Sequence, residues 1–439
     1  MPTYDAIVVG AGPAGSVAAL TLARSGARVA LVDRRRFPRD KACGDLIGPR
    51  GVRLLSDLGI DIGSDRPLGD MIVIGPTGRR ALLPALPGVD YAGHAIVVER
   101  QRFDRELRDA AVAAGAEPVH GRVTALRADP SGATGVDLAG GTFLAGAVII
   151  GADGANSRVA AQAGLVDASC ALWGFAVRGY VEAEVALPHI VLWEPRPWRL
   201  FPGYGWAFPT EGGGVNVGLG LAFGWSDRTT SRQAMERFGD FLTHLTGLGV
   251  WRGPGGAPGR APGGDLAGCL GGWLKMGMVG TVPAAGRVLL AGDAAGMVNP
   301  LQGEGIAQAM ATGHAAAAAV VAAGPGGAAA HYLRLLRPHA RHHRLNAPLH
   351  AGMVAHPRAV SLAGRVLTAP GVRGAISGAW GLYWNDLVHG ALPSRHRTIS
   401  ALISRGVAVT VARNRATAWF AEQLGETRGI PTRRDSELT

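Results

Sequence analysis

Cysteine is scarce in this chain of 439 residues: Cys43, Cys170 and Cys269 stand far apart, with no Cys-x-x-Cys pair. An odd, dispersed set excludes a disulfide framework and leaves no paired-thiol metal motif, so a reducing compartment, the cytoplasm, is expected. Long apolar runs are missing too. No uninterrupted stretch of about 18 apolar residues occurs, so no membrane-spanning helix is expected. The N-terminus leads directly into the strand-like Ala6-Ile-Val-Val9, without a basic leader, which argues against a signal peptide. Charged residues make up only 18% of the chain, yet the formal net charge is +11. No nucleic-acid-binding motif accompanies that charge, so no nucleic-acid partner is expected. A solvated basic surface and a peripheral contact with the inner face of an anionic membrane are both compatible with it. No internal repeat is present.

What is abundant is apolar residues, 47%, and glycine, 67 residues. The first describes a globular chain, and at roughly 150 residues per domain the length predicts two or three domains. The glycines are informative only at diagnostic spacing. Residues 5–33 supply it: an apolar strand runs into Gly10-x-Gly12-x-x-Gly15, a helix carries Ala18, Leu22 and Ala23 on one face, and a second strand ends at Asp33. In such a βαβ unit Gly10 allows the tight turn, Gly12 lets a pyrophosphate approach the backbone, and Gly15 lets helix and strand pack closely. The helix N-terminus offers free N–H groups to phosphate, and Asp33, with Arg34 next to it, is set to meet the adenosine ribose.

Two later strands end in similar punctuation. Val148-Ile-Ile-Gly-Ala-Asp-Gly154 places Asp153 and Gly154 after an apolar run. Arg287-Val-Leu-Leu-Ala-Gly-Asp293 does the same with Gly292 and Asp293, and Pro300-Leu-Gln-Gly-Glu-Gly-Ile306 then opens an Ala-rich helix. Together with the first motif these resemble the FAD-binding signature of the p-hydroxybenzoate hydroxylase-like superfamily. That resemblance implies an α/β fold with a Rossmann-like FAD-binding domain, a second, antiparallel-sheet substrate domain and a helical C-terminal region. It implies that Asp293 meets the ribitol chain, that Pro300, Gly303, Glu304, Gly305 and Ile306 lie along the flavin ring, and that Asp153 and Gly154 belong to a motif shared between FAD and nicotinamide access. The Arg100-x-x-Phe-Asp-x-x-Leu107 segment also matches, which puts Arg100 rather than Arg102 against FAD.

Phe37-Pro-Arg-Asp-Lys-Ala-Cys-Gly-Asp45 poses a separate question: Cys43 reads equally as a redox thiol, a metal ligand, a gap filler or part of a cofactor cradle. No His or Cys stands at ligand spacing and no resolving cysteine is near, so neither a metal nor a disulfide is expected. The Lys41-Ala-Cys43-Gly44 loop, with Tyr204-x-Trp206-x-Phe208-Pro209 and Asn216-Val-Gly218, resembles the geranylgeranyl reductase family. By that resemblance Lys41, Cys43 and Gly44 cradle the flavin. Cys43, Asp45 and Tyr204 become candidate acids, and FAD is reduced by NAD(P)H docking transiently or by a partner such as ferredoxin. Here Leu46-Ile47 replaces the family's usual glycine and leucine, which reshapes the pocket floor.

Residues 165–275 carry alternating, aromatic-rich runs expected to form antiparallel strands over the flavin. Trp193, Trp198, Phe201, Tyr204, Trp206 and Phe208 are its candidate pocket walls, and as a cluster they suit an apolar, isoprenoid-like substrate. The expected division is 1–164 plus 276–330 for FAD, with part of 70–95 on the substrate side, then 165–275, then 331–439. Pro325-Gly-Gly327 marks the last break. His339, His342, His343 and His350 beyond it read as part of a solvated helix and not as metal ligands. Two reactions fit the scaffold: hydride transfer from reduced flavin to an isoprenoid C=C, or monooxygenation of a terpenoid or aromatic natural product through a flavin C4a-hydroperoxide. The reductase motifs favour the first.

Overall fold

The computed structural model describes residues 3–371 apart from 64–66, 84–93, 129–133, 169–170, 193–202, 224–230, 252–268, 341–342, 344–345, 348–349 and 351–356. Its helices are α1 (Pro13–Arg24), α2 (Pro49–Asp57), α3 (Arg100–Ala113), α4 (Arg158–Gln162), α5 (Ser231–Gly247), α6 (Ile306–Leu335) and α7 (Pro357–Leu367). Trp193, Trp198, Phe201 and Cys170 lie outside the described residues.

The first sheet is built from strands that are apolar on both faces. Thr3–Val9 lies between Val29–Asp33 and Phe143–Gly151 and runs parallel to both. Val288–Leu290 extends the parallel set on one side and Glu117–His120 on the other. Ala6, Ile7, Val8, Val32, Val148 and Ile150 have almost no exposed surface, as strands covered by helices on both sides require. Thr134–Leu138 and Val123–Ala128 add an antiparallel flap.

Helix α6 packs along α1. The two backbones come so close that a Cβ on Gly313 would sit 2.0 Å from the Ala14 carbonyl oxygen. By length and composition α6 could cross a membrane, but 61% of its apolar window is buried inside the protein, and it serves as a core helix. It also runs through the expected boundary at 330. Gly324 breaks the helical path with φ 62°, but the chain resumes its helix. Tyr332 is fully buried and donates to the Leu290 carbonyl at 2.7 Å, so the first core claims residues beyond 330. The histidines that follow do not form a solvated face either: His343 and His350 are 1% and 3% exposed. Burial pushes the His350 imidazole down to about 4. No cluster suited to a metal ion occurs among the described residues.

The second sheet has the order Leu270–Met276, Leu172–Val181, Val215–Phe223, Gly203–Pro209, His189–Val191, Met71–Ile74, Arg80–Leu83. Every pair is antiparallel except His189–Val191 with Met71–Ile74, which is parallel. Strand alternation sorts its side chains. Phe175, Val177, Val217 and Leu219 pack with Phe238 and Phe241 of α5 on one face. Arg178, Tyr180, Tyr204, Trp206, Phe208 and Asn216 stand on the other, where the first domain meets the sheet.

Candidate functional site

The first glycine turn shows three different steric demands. Gly10 has φ +102°, and a Cβ there would lie 2.3 Å from the Ala152 carbonyl oxygen. A Cβ on Gly15 would lie 1.7 Å from the Gly10 oxygen. Gly12 is open by contrast: the nearest atom to its absent Cβ is an Arg39 guanidinium nitrogen at 3.4 Å. Gly12 caps α1 with no side chain and Pro13 opens the helix, so the N–H groups of Ala14 and Gly15 face the turn without a side-chain cap. The Asp33 carboxylate accepts from the Ala11 amide at 2.8 Å and from the Arg35 amide at 2.8 Å, which ties the end of the second strand to the turn. Arg34 beside it is exposed.

Arg39 escaped the sequence reading because nothing local separates it from Arg34, Arg35 and Arg36. The fold does. Arg39 sits over the Phe37 ring at 4.9 Å and pairs with Asp104 at 3.0 Å. Arg100 holds the same carboxylate with two bonds of 2.8 Å, and its guanidinium faces the Cys43 thiol. Arg100, Phe103, Asp104 and Leu107 are all buried on one side of α3, which explains their spacing. Arg102 points elsewhere, to Glu106 and Glu211.

Asp153, expected in a motif shared between FAD and nicotinamide access, is tied to the start of α4 and stands with Asp293 near Lys275. Its carboxylate accepts from the Ser157 hydroxyl and from the amides of Arg158 (2.7 Å) and Val159 (3.1 Å), capping α4. Gly154 adjoins it at φ +87° with open space around it. Asp293, in the short 3-10 turn Gly292–Ala295, pairs with Lys41 at 3.3 Å. Lys275, only 1% exposed, donates to the Ala294 carbonyl at 2.7 Å; burial pushes its ammonium down to about 8, against the pull of Asp153 and Asp293. Lys41 and Lys275 are the only two lysines in the chain, and both border the Asp293 turn.

Next comes the loop from buried Pro300 to Gly305. The Asn299 side chain accepts from the Leu301 and Gln302 amides, and the Gly303 amide donates to the Asn299 carbonyl. Glu304 accepts from the Ala307 amide at 2.7 Å, so the first turn of α6 is partly capped by its own carboxylate. Ile306 is buried at the helix start.

The Cys43 loop meets the second sheet side chain to side chain. Gly44 fits tightly there: a Cβ would stand 3.0 Å from Phe208 and 3.2 Å from the Trp206 indole nitrogen, so those rings would have to give way to any side chain. Trp206 and Phe208, expected as pocket walls, are 5% exposed and pack in the core with Met71, Val97 and Ile190. The Tyr204 hydroxyl donates to the Gln302 carbonyl above Gly303, which ties the sheet to the 299–305 loop. Its phenol is pushed well above the usual range by burial.

Asp45 is the focus of this interface. It has no exposed surface and adopts φ 61°, a left-handed conformation unusual outside glycine. Its Oδ2 accepts from the Tyr180 hydroxyl at 2.5 Å and from Asn216 Nδ2 at 2.7 Å. Asn216 Nδ2 also donates to the Cys43 carbonyl at 2.9 Å, and Asn216 Oδ1 accepts from Trp206 Nε1 at 2.8 Å. Indole N–H can only donate, so the amide orientation is determined by its bonds. Asp45 Oδ1 has no hydrogen-bond partner among the described residues. Burial pushes the carboxyl from its ordinary 3.8 to about 6, against the pull of Tyr180, Asn216, Arg178 and Arg100. The Asp45 amide donates to Cys43 Sγ at 3.3 Å, and burial pushes that thiol up. Arg178 is buried, binds Asp40 and lies over the Tyr180 ring at 4.4 Å. Sequence reasoning missed Asn216, Arg178 and Tyr180 as site residues, because each acts from a strand more than 100 residues beyond the loop it meets.

The open side of Gly12, the uncapped amides of α1, Arg39 and the Asp293 turn fit a dinucleotide such as FAD. The comparisons agree. A family model described as an FAD binding domain matches residues 3–171. The chain is 35% identical over 324 residues to a menaquinone reductase of Mycolicibacterium smegmatis, covering 71% of this chain and 75% of that protein. It is 34% identical over 334 residues to a geranylgeranyl diphosphate reductase of Rhodobacter capsulatus, covering 72% and 74%. Among solved structures, a geranylgeranyl bacteriochlorophyll reductase-like protein from Thermoplasma acidophilum superposes with a TM-score of 0.66 at 21% identity, covering 97% of this chain and 100% of that one. The flavin-dependent halogenase CmlS superposes with a TM-score of 0.64 at 22% identity, over 86% and 72% of the two chains. These likenesses establish the p-hydroxybenzoate hydroxylase-like fold, which serves more than one reaction.

Proposed function

Because the chain belongs to the geranylgeranyl reductase family of FAD-dependent oxidoreductases, we propose that it reduces carbon–carbon double bonds of an isoprenoid-like substrate. Bound FAD, once reduced, supplies the hydride for one alkene carbon, and the protein must supply a proton for the other. The observation that carries this reading is Asp45: a buried carboxyl that takes up its proton near pH 6 and stands beside Cys43. A general acid works best with a pKa near the working pH.

The other groups divide the remaining work. The glycine turn and α1 hold the pyrophosphate, with Asp33 at the ribose and Arg39 as counter-charge. Lys41 and Asp293 hold the ribitol side. Tyr204 spends its only proton on the Gln302 carbonyl, so it orients the 299–305 loop and is a poorer acid than Asp45. Cys43, backed by Arg100, tunes the flavin environment. Electrons come from NAD(P)H docking transiently or from a ferredoxin-like partner. The reaction runs in the cytoplasm, with the basic surface favouring a membrane-borne, isoprenoid-bearing substrate.

The test is turnover without oxygen. Chemically reduced enzyme is mixed anaerobically with menaquinone or geranylgeranyl diphosphate, the substrates in the two relatives' names. A saturated product and stoichiometric flavin oxidation are expected. Flavin that stays reduced until oxygen is admitted, followed by an oxygenated product, would instead support a monooxygenase.

A further inference from the structure

An acid sealed from water can act repeatedly only if its proton is replaced. Asp45 has no exposed surface, so the replacement has to come through a neighbour. Asn216 is an amide whose three bonds to Asp45, Cys43 and Trp206 hold it as a fixed donor, and an amide does not give up a proton. Arg100 and Arg178 stay cationic. Cys43 Sγ receives the Asp45 amide and has no hydrogen bond to the carboxyl itself. The Tyr180 hydroxyl donates to Asp45 Oδ2 at 2.5 Å, and Tyr180 is 41% exposed. Among the described residues it alone joins the carboxyl to a solvent-exposed side chain.

We propose that Tyr180 is the outer station of a proton path that recharges Asp45 from solvent, a role that rests on the reductase reading above. The two carboxyl oxygens divide the task. Oδ2 already accepts two hydrogen bonds, so the acidic proton resides on Oδ1, the oxygen without a partner. In turnover that proton goes from Oδ1 to the substrate carbon opposite the hydride, leaving a carboxylate. Tyr180 passes its proton to Oδ2 while its oxygen takes one from water, and a half-turn of the carboxyl about its Cβ–Cγ bond then presents the protonated oxygen to the substrate again, so no free phenolate accumulates and the net reaction consumes one solvent proton. The charged and titratable groups around the pair are Arg178 on the same strand, Arg100 on α3, Glu99 just before it, and Cys43 and Asp40 from the loop. Arg178, stacked on the ring, holds the phenol in place whether or not the hydroxyl is present.

Tyr180→Phe keeps the ring and removes only the hydroxyl. The first readout needs no substrate. In FAD-loaded enzyme at pH 5, the infrared C=O band of protonated Asp45 is identified by its loss in Asp45→Asn, and its isotope shift is followed after rapid mixing with D₂O. Exchange is expected to slow at least tenfold in Tyr180→Phe and to stay fast when 3-fluorotyrosine replaces Tyr180. Unchanged exchange in the Phe variant overturns the proposal. The second readout is anaerobic turnover with dithionite as reductant. The first turnover at pH 5 is expected within about twofold of wild type, because Asp45 starts protonated, while the steady-state rate falls tenfold or more and falls further as pH rises. A Phe variant with wild-type steady-state rate and pH profile also overturns it. If wild-type enzyme reduces neither substrate, the reductase reading fails, and the exchange experiment still decides whether Tyr180 feeds Asp45.

Discussion

The turn at residues 10–15 and the loop at 40–45 follow two neighbouring parallel strands, Thr3–Val9 and Val29–Asp33, yet they are built on opposite plans. The turn is made of backbone: three glycines, a helix start and uncapped amides, with side chains excluded by clashes as short as 1.7 Å. Such groups attract phosphate at any pH, because peptide N–H groups do not titrate. The loop is made of side chains, with a thiol beside a carboxyl that is buried and held by Tyr180 and Asn216. It is suited to moving a proton and poorly suited to holding an anion. Binding and chemistry are thus separated by material as well as by position, and substitutions should separate them in the same way.

The largest effect is expected in the turn. Gly12→Val adds bulk only toward the Arg39 guanidinium, which can move, so the protein should fold but be purified without flavin absorbance. A full flavin spectrum in that variant would break the contrast. Gly15→Ala differs, since its Cβ meets backbone at 1.7 Å. It should lower stability by about 3 kcal/mol or more in urea unfolding, cofactor present or not.

The loop should respond to pH. The folded state of Asp45 binds its proton up to about pH 6, whereas the ordinary value is 3.8. Its contribution is therefore fully favourable below about 3.8 and is lost as pH rises through about 6, a difference of roughly 3 kcal/mol. Asp45→Asn should flatten this part of the stability profile and raise stability at pH 8, while abolishing turnover and leaving FAD content normal. A profile with the wild-type slope would refute the assignment.

Smaller effects sharpen the picture. Asp293→Ala removes the partner of Lys41 and should weaken FAD about tenfold to a hundredfold in a titration of apoprotein, since a bond to a charged group contributes about 1.5–3 kcal/mol. Cys43→Ala and Cys43→Ser should cost about 1–2 kcal/mol of stability at most, with FAD retained. If the thiol tunes the flavin, single-turnover rates should fall in both and differ between them. Wild-type rates in both would leave Cys43 as packing.

How much of this could be read in advance followed the range of the interactions. Gly10, Gly12 and Gly15 were legible because their constraints lie within one turn, and the parallel sheet because its strands are apolar on both faces. The reductase-like loops were legible as motifs, but their reasons were not. Gly44 packs tightly against Trp206 and Phe208, and Asn216 bridges Cys43 and Asp45, each across more than 160 residues. The bonds that tie Asp153 to Ser157 and to the amides that open α4 were not legible, because an acid after Gly-Ala does not announce which neighbours it will hold. The boundary at 330 was drawn at Pro325-Gly-Gly, but Tyr332 anchors the helix beyond it to the first sheet.

The pair of lysines has a practical consequence. In a chain with 44 basic residues only Lys41 and Lys275 carry side-chain amines, and both border Asp293. Amine-directed chemistry therefore addresses this turn and no other side chain in the protein. Reductive methylation with isotope-labelled formaldehyde should place one reporter on partly exposed Lys41 and, more slowly, one on buried Lys275. Their two methyl signals would read cofactor occupancy at the same turn, one from its carboxylate and one from its backbone, without a single engineered residue.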